Sequence, residues 1–215
     1  MSEAAASPPS NRRARKRRQL IERVAGIAFG LFEEQGYEAV TMEQIAAAAD
    51  IAKGTLYRYF PLKEALLAQQ LQQELASGMA PLWPLLERQG SFAAQMSCLL
   101  QAWAQWHEAR RSYIPHYLRH QLSTGSLDHH DLRQHRPGGA RPILERLCRA
   151  GQQRGDVRPD LPAAQLAVLL ECLCLGATLT WLARPDAKLQ HEFDAVLLMA
   201  LNGVGVPSSA GTRQH

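Results

Sequence analysis

The stretch TMEQIAAAADIAKGTLYRYF, residues 41–60, holds two short helical patterns separated by Asp50-Ile51. Thr41 stands at an N-cap, and Gln44 three residues on completes a T-x-x-Q capping box, in which each side chain meets the other residue's backbone N–H. Val40 and Ile45 take the flanking positions of a hydrophobic staple, so the entry angle of this helix is specified locally. Ala46 to Ala49 offer a side-chain-poor surface that another helix can approach closely, and Asp50-Ile51 read as a short turn whose isoleucine plugs the core. A further short helix, from about Ala52 to Tyr59, stops at Phe60, because Pro61 disfavours helical geometry in the residue before it. Two short helices on a tight turn read as a helix-turn-helix or, from geometry alone, as an ordinary helical hairpin with solvated polar residues.

The chemistry of the second short helix favours the former. If Leu56 and Phe60 face the core at i and i+4, then Lys53, Thr55, Tyr57 and Arg58 lie on or beside the outward surface. Gly54, lacking a Cβ, allows the backbone to approach closely where the helix end would meet a major groove. Lysine ammonium and tyrosine hydroxyl groups grip phosphates, and threonine offers a hydroxyl and a methyl to base edges.

These residues carry a resemblance. TMEQIAAAADIAKGTLYRYFPLKEALL resembles the N-terminal DNA-binding segment of the TetR family of bacterial transcriptional regulators, whose common form reads roughly T-x-x-x-I-A-x-x-A-G-V-(S/A)-K-G-T-L-Y-x-(H/Y)-F-x-S-K-E-x-L. The match covers residues 17 to about 70. Beyond it, GQQRGDVRPDLPAAQLAVLLECLCLGATLTWL is similar to the family's late core helix and dimer-forming helix. The resemblance implies that Lys53, Gly54 and Thr55 lie nearest the bases, where Arg58 is expected with them from its place on the outward surface, and that Thr41, Tyr57, Tyr59 and Lys63 hold phosphates. Three positions depart from the pattern: Asp50 replaces the usual turn glycine, Leu62 replaces the usual capping Ser/Asn, and Glu43 stands where many relatives carry a basic residue. Asp tolerates left-handed geometry, so the turn should survive. Leu62 deprives the next helix of an N-cap contribution of about 1 kcal/mol. Glu43 is open to two readings, an acceptor for cytosine N4 or a side chain tilted away from DNA.

Charge is distributed to the same effect. The chain of 215 residues has a net charge of +4, and residues 11–63 hold ten Lys/Arg against six Asp/Glu, while the remainder holds fourteen of each. The whole surplus therefore lies in the first quarter, with six basic residues in the seven of Arg12–Arg18. Such an excess on a small helical unit suits a polyanion partner, although a basic patch can equally be a solvated face.

The chain as a whole reads as all-α, with apolar residues recurring at i, i+3 and i+4 and no convincing period-2 alternation. The expected organisation is a disordered basic arm over 1–16, a helix-turn-helix domain over 17–62, a helical effector-binding and dimerisation domain over 63–203, and a flexible tail over 204–215. Its first helix runs from about Arg17 to Gln35, with Gly36 as the stop. Further helices are expected near 63–79, 82–88, 91–109, 111–123, 141–154, 162–183 and 189–202, punctuated by Pro81, Pro84, Gly90, Gly125 and Pro159. The polar segment 125–140 reads as a loop.

The helix at 162–183 is apolar nearly all round and must be buried on two sides, within a monomer or against a second copy of the chain. The expected homodimer seam is Leu166, Leu170, Leu173, Ala177 and Trp181, completed by Phe193 and Leu197 in a symmetric four-helix contact. Glu171, Thr178 and Thr180 interrupt this helix, which suits burial in protein better than a bilayer span, so no membrane association is expected. The basic run followed by Val24–Phe32 lacks a small-residue cleavage site, unlike a signal peptide. Cys98, Cys148, Cys172 and Cys174 show neither metal-ligand spacing nor the density of a disulfide scaffold, which fits a reducing cytoplasm.

Six of the eight histidines fall between 107 and 135. Trp103, Trp106, His107, Tyr113, His116, Tyr117 and His120 are the expected lining of an effector pocket. His116 and His120, four apart, could share a face as metal ligands, but no carboxylate or cysteine completes a set, so no metal and no cofactor are expected. The function these features favour is sequence-specific binding of double-stranded DNA by a homodimeric regulator, a repressor released by a small-molecule effector, with no catalysis. A helical interaction module without DNA binding is one alternative. An enzyme built on the histidine cluster is another, though it would lack a nucleophile motif or phosphate loop.

Overall fold

The computed structural model describes residues 9–123 and 140–204; the first eight residues, the expected loop at 125–140 except Ala140, and the expected tail at 204–215 except Val204 lie outside them. Among the described residues the chain is all-α, without a strand. The helices are α1 (Pro9–Gln35), α2 (Met42–Ala48), α3 (Lys53–Tyr59), α4 (Lys63–Glu87), α5 (Phe92–Ala109), α6 (Ile114–Ser123), α7 (Ala140–Arg154), α8 (Ala163–Leu182) and α9 (Leu189–Val204). They form two compact units, one of residues up to Glu74 together with the segment from Pro115, the other of Leu75–Ile114 and the remaining C-terminal part. The division thus falls inside α4, where the sequence alone suggested a boundary before Lys63.

The first unit is built on apolar stripes. Val24, Ala28 and Phe32 of α1, Ile45 of α2 with Ala49 just past its end, Leu56 of α3, and Leu66, Leu67 and Leu71 of α4 are all buried. α1 ends as expected at Gly36, whose φ of 86° is open to glycine at little cost. Its start differs from expectation, since helix begins at Pro9 rather than near Arg17. Proline is preorganised for a first helical turn, and the Arg, Lys and Ala that follow are strong helix formers, so much of the supposed arm is helical.

In the second unit, α5, α7, α8 and α9 surround a core that includes Phe92, Met96, Leu99, Leu144, Leu166, Trp181 and Phe193. Ser91 caps α5 by accepting from the Ala94 N–H at 3.3 Å. α4 continues through Pro81 and Pro84, where two helices were expected. Each proline removes one intrahelical hydrogen bond, at about 3 kcal/mol. Burial offsets that loss: Leu86 is fully buried, and Leu82 and Trp83 pack on the core, each large apolar side chain contributing about 2 kcal/mol. Arg146 adds a guanidinium 4.0 Å from the Trp83 ring centroid and an ion pair to Glu87 at 2.8 Å.

α8 is the one described helix long and apolar enough to cross a membrane, and it is a core helix on one face. The polar side chains that interrupt it, Glu171, Thr178 and Thr180, are satisfied within the chain. Arg141 on α7 donates to Glu171 from Nε at 2.8 Å and from Nη2 at 2.6 Å, and the Thr178 and Thr180 hydroxyls donate to carbonyls one turn back. The register of the helix corrects the expected seam. Leu166, Leu170, Ala177 and Trp181 are buried in the chain's own core, as is Phe193 on α9, while Leu173 and Leu197 are only partly covered. Trp181 settles the orientation, since its indole N–H donates to the Ala187 carbonyl at 2.9 Å and Arg111 lies 4.2 Å over its ring. The outward stripe is instead Gln165, Leu169, Cys172, Gly176 and Leu179, continued on α9 by Ala195, Leu198 and Met199.

Candidate nucleic-acid interface

The expected capping box at the start of α2 is present: the Thr41 N–H donates to Gln44 Oε1 at 2.7 Å, and Thr41 Oγ1 accepts from the Gln44 N–H at 3.2 Å. Val40 and Ile45, the staple pair, are both buried. At the other end of α2, Asp50 adopts φ 51°. Its N–H donates to the Ala47 carbonyl and that of Ile51 to the Ala46 carbonyl, both at 3.1 Å, which is the paired pattern of a Schellman stop. An aspartate thus takes the left-handed position that glycine usually fills, and the turn is closed on both sides.

That turn delivers α3 with Leu56 and Phe60 inward. Lys53, Gly54, Tyr57 and Arg58 are exposed, Thr55 and Tyr59 are half-buried, and nothing stands within 4 Å of where a Gly54 side chain would begin. The four residues expected nearest the bases and Tyr57 therefore share one accessible helix. Tyr59 lies beneath two guanidiniums, Arg58 at 5.1 Å and Arg17 of α1 at 5.7 Å from its ring centroid. Arg17 brings the basic run of α1 next to α3, a link that no short-range pattern displayed.

Two charged residues behave differently from a plain phosphate grip. Lys63 turns its ammonium onto the loop before α2, donating to the carbonyls of Tyr37 at 2.6 Å and Val40 at 3.0 Å while lying 4.4 Å from the Tyr37 ring centroid. Lys63 thus clamps that loop. Glu43, in the first turn of α2, is ion-paired with Lys53. The hydrogen bond to Lys53 holds the Glu43 carboxyl below its usual range, and the same contact raises the Lys53 ammonium above its own. Both are charged at neutral pH.

The residues expected to line an effector pocket are divided. Trp103, Trp106, His107 and Tyr113 belong to the second unit, and His116, Tyr117 and His120 to the first. His107 Nδ1 lies 2.7 Å from the Trp103 carbonyl, with its ring edge-to-face on Phe193, and burial lowers its basicity. The Trp106 indole N–H is buried with no acceptor among the described residues. In the first unit, Tyr117 Oη accepts from Gln121 at 2.7 Å. His116 stacks on Tyr37 at 4.0 Å and accepts at Nδ1 from Arg119 at 2.9 Å, while Arg119 also pairs with Glu64. Burial, with the Arg119 charge adding to it, lowers the basicity of His116. A histidine whose Nδ1 accepts from a guanidinium and whose ring supports Tyr37 serves the packing of this unit.

A capped helix, a closed turn and an exposed basic second helix define a helix-turn-helix protein of all-α architecture. Residues 27–69 match the family model described as bacterial regulatory proteins, tetR family. The chain is 42% identical over 65 residues to the HTH-type transcriptional repressor KstR of Rhodococcus jostii, covering 30% of this chain and 29% of that protein. It is 34% identical over 80 residues to the nucleoid occlusion factor SlmA of Haemophilus ducreyi, covering 36% and 38%. These matched segments span well under half the length of either relative. Among solved structures, FadR of Thermus thermophilus, a TetR-family repressor in complex with lauroyl-CoA, aligns with a TM-score of 0.75 at 23% identity, over 89% of this chain and 98% of that one. The ketosteroid regulator KstR2 of Mycobacterium tuberculosis aligns with a TM-score of 0.51 at 22% identity, over 89% and 95%. The amino-terminal segment thus matches the tetR family of regulatory proteins, and the fold is that of the solved TetR-family structures.

Proposed function

We propose that this protein is a transcriptional regulator that binds double-stranded DNA as a homodimer, in the cytoplasm, acting as a repressor that a small-molecule effector releases. The observation that carries the reading is the accessible face of α3, where Lys53, Gly54, Thr55, Tyr57 and Arg58 follow a closed turn in a segment matching a DNA-binding family. α3 enters the major groove with Lys53 and Thr55 at base edges, while Thr41, Tyr57 and Tyr59 contact phosphates and the basic run of α1 adds electrostatic attraction. Lys63 supports the same surface by holding the loop that presents Thr41.

One short recognition helix makes few contacts, so specific binding needs two heads on an inverted repeat. The outward stripe of α8 and α9, centred on Leu169, Leu179, Leu198 and Met199, is the surface through which two copies pair. These side chains are 48% to 64% exposed in a single chain, and an apolar face of that kind favours a self-complementary contact. The effector site is placed within the second unit near Trp103, Trp106 and His107, where an indole donor lacks an acceptor among the described residues. An effector that prefers the DNA-incompetent dimer weakens operator binding by the same factor by which operator weakens its own binding.

A shift assay on two duplexes tests the DNA reading. Tyr57→Phe is expected to weaken binding to an inverted-repeat duplex and to a random duplex alike, because a phosphate contact positions without reading sequence. Thr55→Val should instead relax preference at one base position and leave random binding unchanged. If Tyr57→Phe alters base preference at constant overall affinity, or if the protein shifts neither duplex, the interface is wrongly placed.

A further inference from the structure

Glu43 and Lys53 are ten residues apart and meet because the closed turn at Ala49–Ile51 sets the first residue of α3 beside the first turn of α2. The Lys53 ammonium also lies 5.8 Å from the Tyr57 ring centroid, so it is held on two sides. Neither charge is hidden, the side chains being 54% and 59% exposed. This is an awkward arrangement for gripping phosphates. A lysine already neutralised by a carboxylate releases little counterion on binding, and the carboxylate is itself repelled by the backbone. Phosphate oxygens only accept hydrogen bonds, and so have nothing to offer Glu43.

A base pair does. In the major groove a G·C pair presents acceptors, guanine O6 and N7, beside a donor, the cytosine N4 amino group. Resting on the DNA-binding reading above, we infer that Glu43 is a specificity-determining residue: with Lys53 it forms a donor–acceptor pair that reads G·C. Lys53 donates to guanine O6 or N7, and Glu43 accepts from cytosine N4. The pair matches the order that G·C presents, two adjacent acceptors followed by a donor, and is out of register with A·T, where the donor at adenine N6 lies between the acceptors and the thymine methyl stands at the far edge. Glu43 also restrains the Lys53 ammonium from phosphates that would attract it on any sequence. The acidic residue at the head of the interface thus lowers indiscriminate affinity and raises discrimination.

The test uses the full-length chain and a duplex selected by the wild-type protein from a randomised pool, with a scrambled duplex for comparison. Glu43→Gln removes the charge while keeping size and exposure. It is expected to bind scrambled duplex several-fold more tightly, with the slope of log affinity against log salt steeper by about 0.9 as Lys53 becomes free to engage a phosphate. At one G·C position of the selected site, exchange to A·T should cost the wild type roughly tenfold or more and cost Glu43→Met, which has no acceptor for cytosine N4, much less. Lys53→Met should lose the same preference without the gain on scrambled duplex, because the carboxylate remains. An unchanged ratio of selected to scrambled affinity in Glu43→Gln, or an unchanged salt slope, would overturn the inference while leaving DNA binding intact. Failure of the wild-type chain to bind any duplex would overturn the underlying reading as well.

Discussion

Leu179→Glu is expected to give a folded monomer that has lost its operator. Leu179 is 48% exposed at the end of the outward stripe of α8, so a single chain accommodates the carboxylate in water at little cost. In a symmetric pair the same substitution buries an unpaired charge in each subunit, and each burial opposes association by several kcal/mol. Joining two heads raises affinity by about 10²–10⁴ over one head, since the second half-site is then engaged without a fresh translational penalty. Operator affinity should therefore fall by roughly 100-fold or more while the circular dichroism stays helical. Sedimentation and shift assays on one sample would show both losses together. Trp181→Ala is the contrasting case. Its side chain is buried in the chain's own core, so it should cost about 3–5 kcal/mol of folding stability whatever the oligomeric state. A folded, monomeric Leu179→Glu that keeps wild-type operator affinity would sink the paired-head mechanism.

The second large effect is assigned to Lys63. Its ammonium donates to the carbonyls of Tyr37 and Val40 and approaches that of Glu38 at 3.5 Å. Hydrogen bonds from a charged donor are each worth about 1.5–3 kcal/mol net, and the carbonyls left behind are partly buried. Lys63→Met, which keeps the aliphatic stem over the Tyr37 ring, should lower stability by about 3 kcal/mol, seen as a melting temperature lower by roughly 6–12 °C. DNA binding should weaken as well, since the loop that leads into Thr41 loses its clamp. A direct phosphate contact without the structural role predicts the opposite balance, unchanged melting with a salt slope flatter by about 0.9. Differential scanning calorimetry beside a salt titration separates the two.

Much of this was legible in the sequence where structure is decided by neighbours a few residues apart. The capping box of Thr41 and Gln44, the stop at Gly36 and the tolerance of Asp50 for a left-handed turn are local matters, and each appears as expected. The register of α8 was not legible, because a helix apolar on every side has no periodicity to say which leucines face inward. The decisive cues were weaker ones. Trp181 needs an acceptor for its N–H and finds one just past the helix end, while Gln165, Cys172 and Gly176 recur at spacings of seven and four on the opposite face. Pro81 and Pro84 misled for a different reason: their local cost is real, but packing of Trp83 and Leu86 from distant parts of the chain outweighs it. Lys63 and His116 meet Tyr37 and its loop, 26 and 79 residues away in sequence, contacts that no local pattern displays. Glu43 meets Lys53 only through the turn, ten residues on, a contact that no local pattern displays.

The distribution of thiols over α5, α7 and α8 turns the molecule into its own reporter. Cys172 is exposed on the outward stripe, whereas Cys148 and Cys174 are buried, with burial pushing both thiols up to about 12. Alkylation requires the thiolate, so at neutral pH an iodoacetamide or maleimide reagent finds Cys172 first, with the partly covered Cys98 slower and the other two silent. The labelling rate at Cys172 then measures the fraction of chains whose α8 face is uncovered. It should fall as protein concentration rises through the association range, whereas labelling of Cys98 should stay constant. Peptide mass mapping of the unmodified native chain can thus follow assembly, and any loosening of it by an effector, without a single substitution.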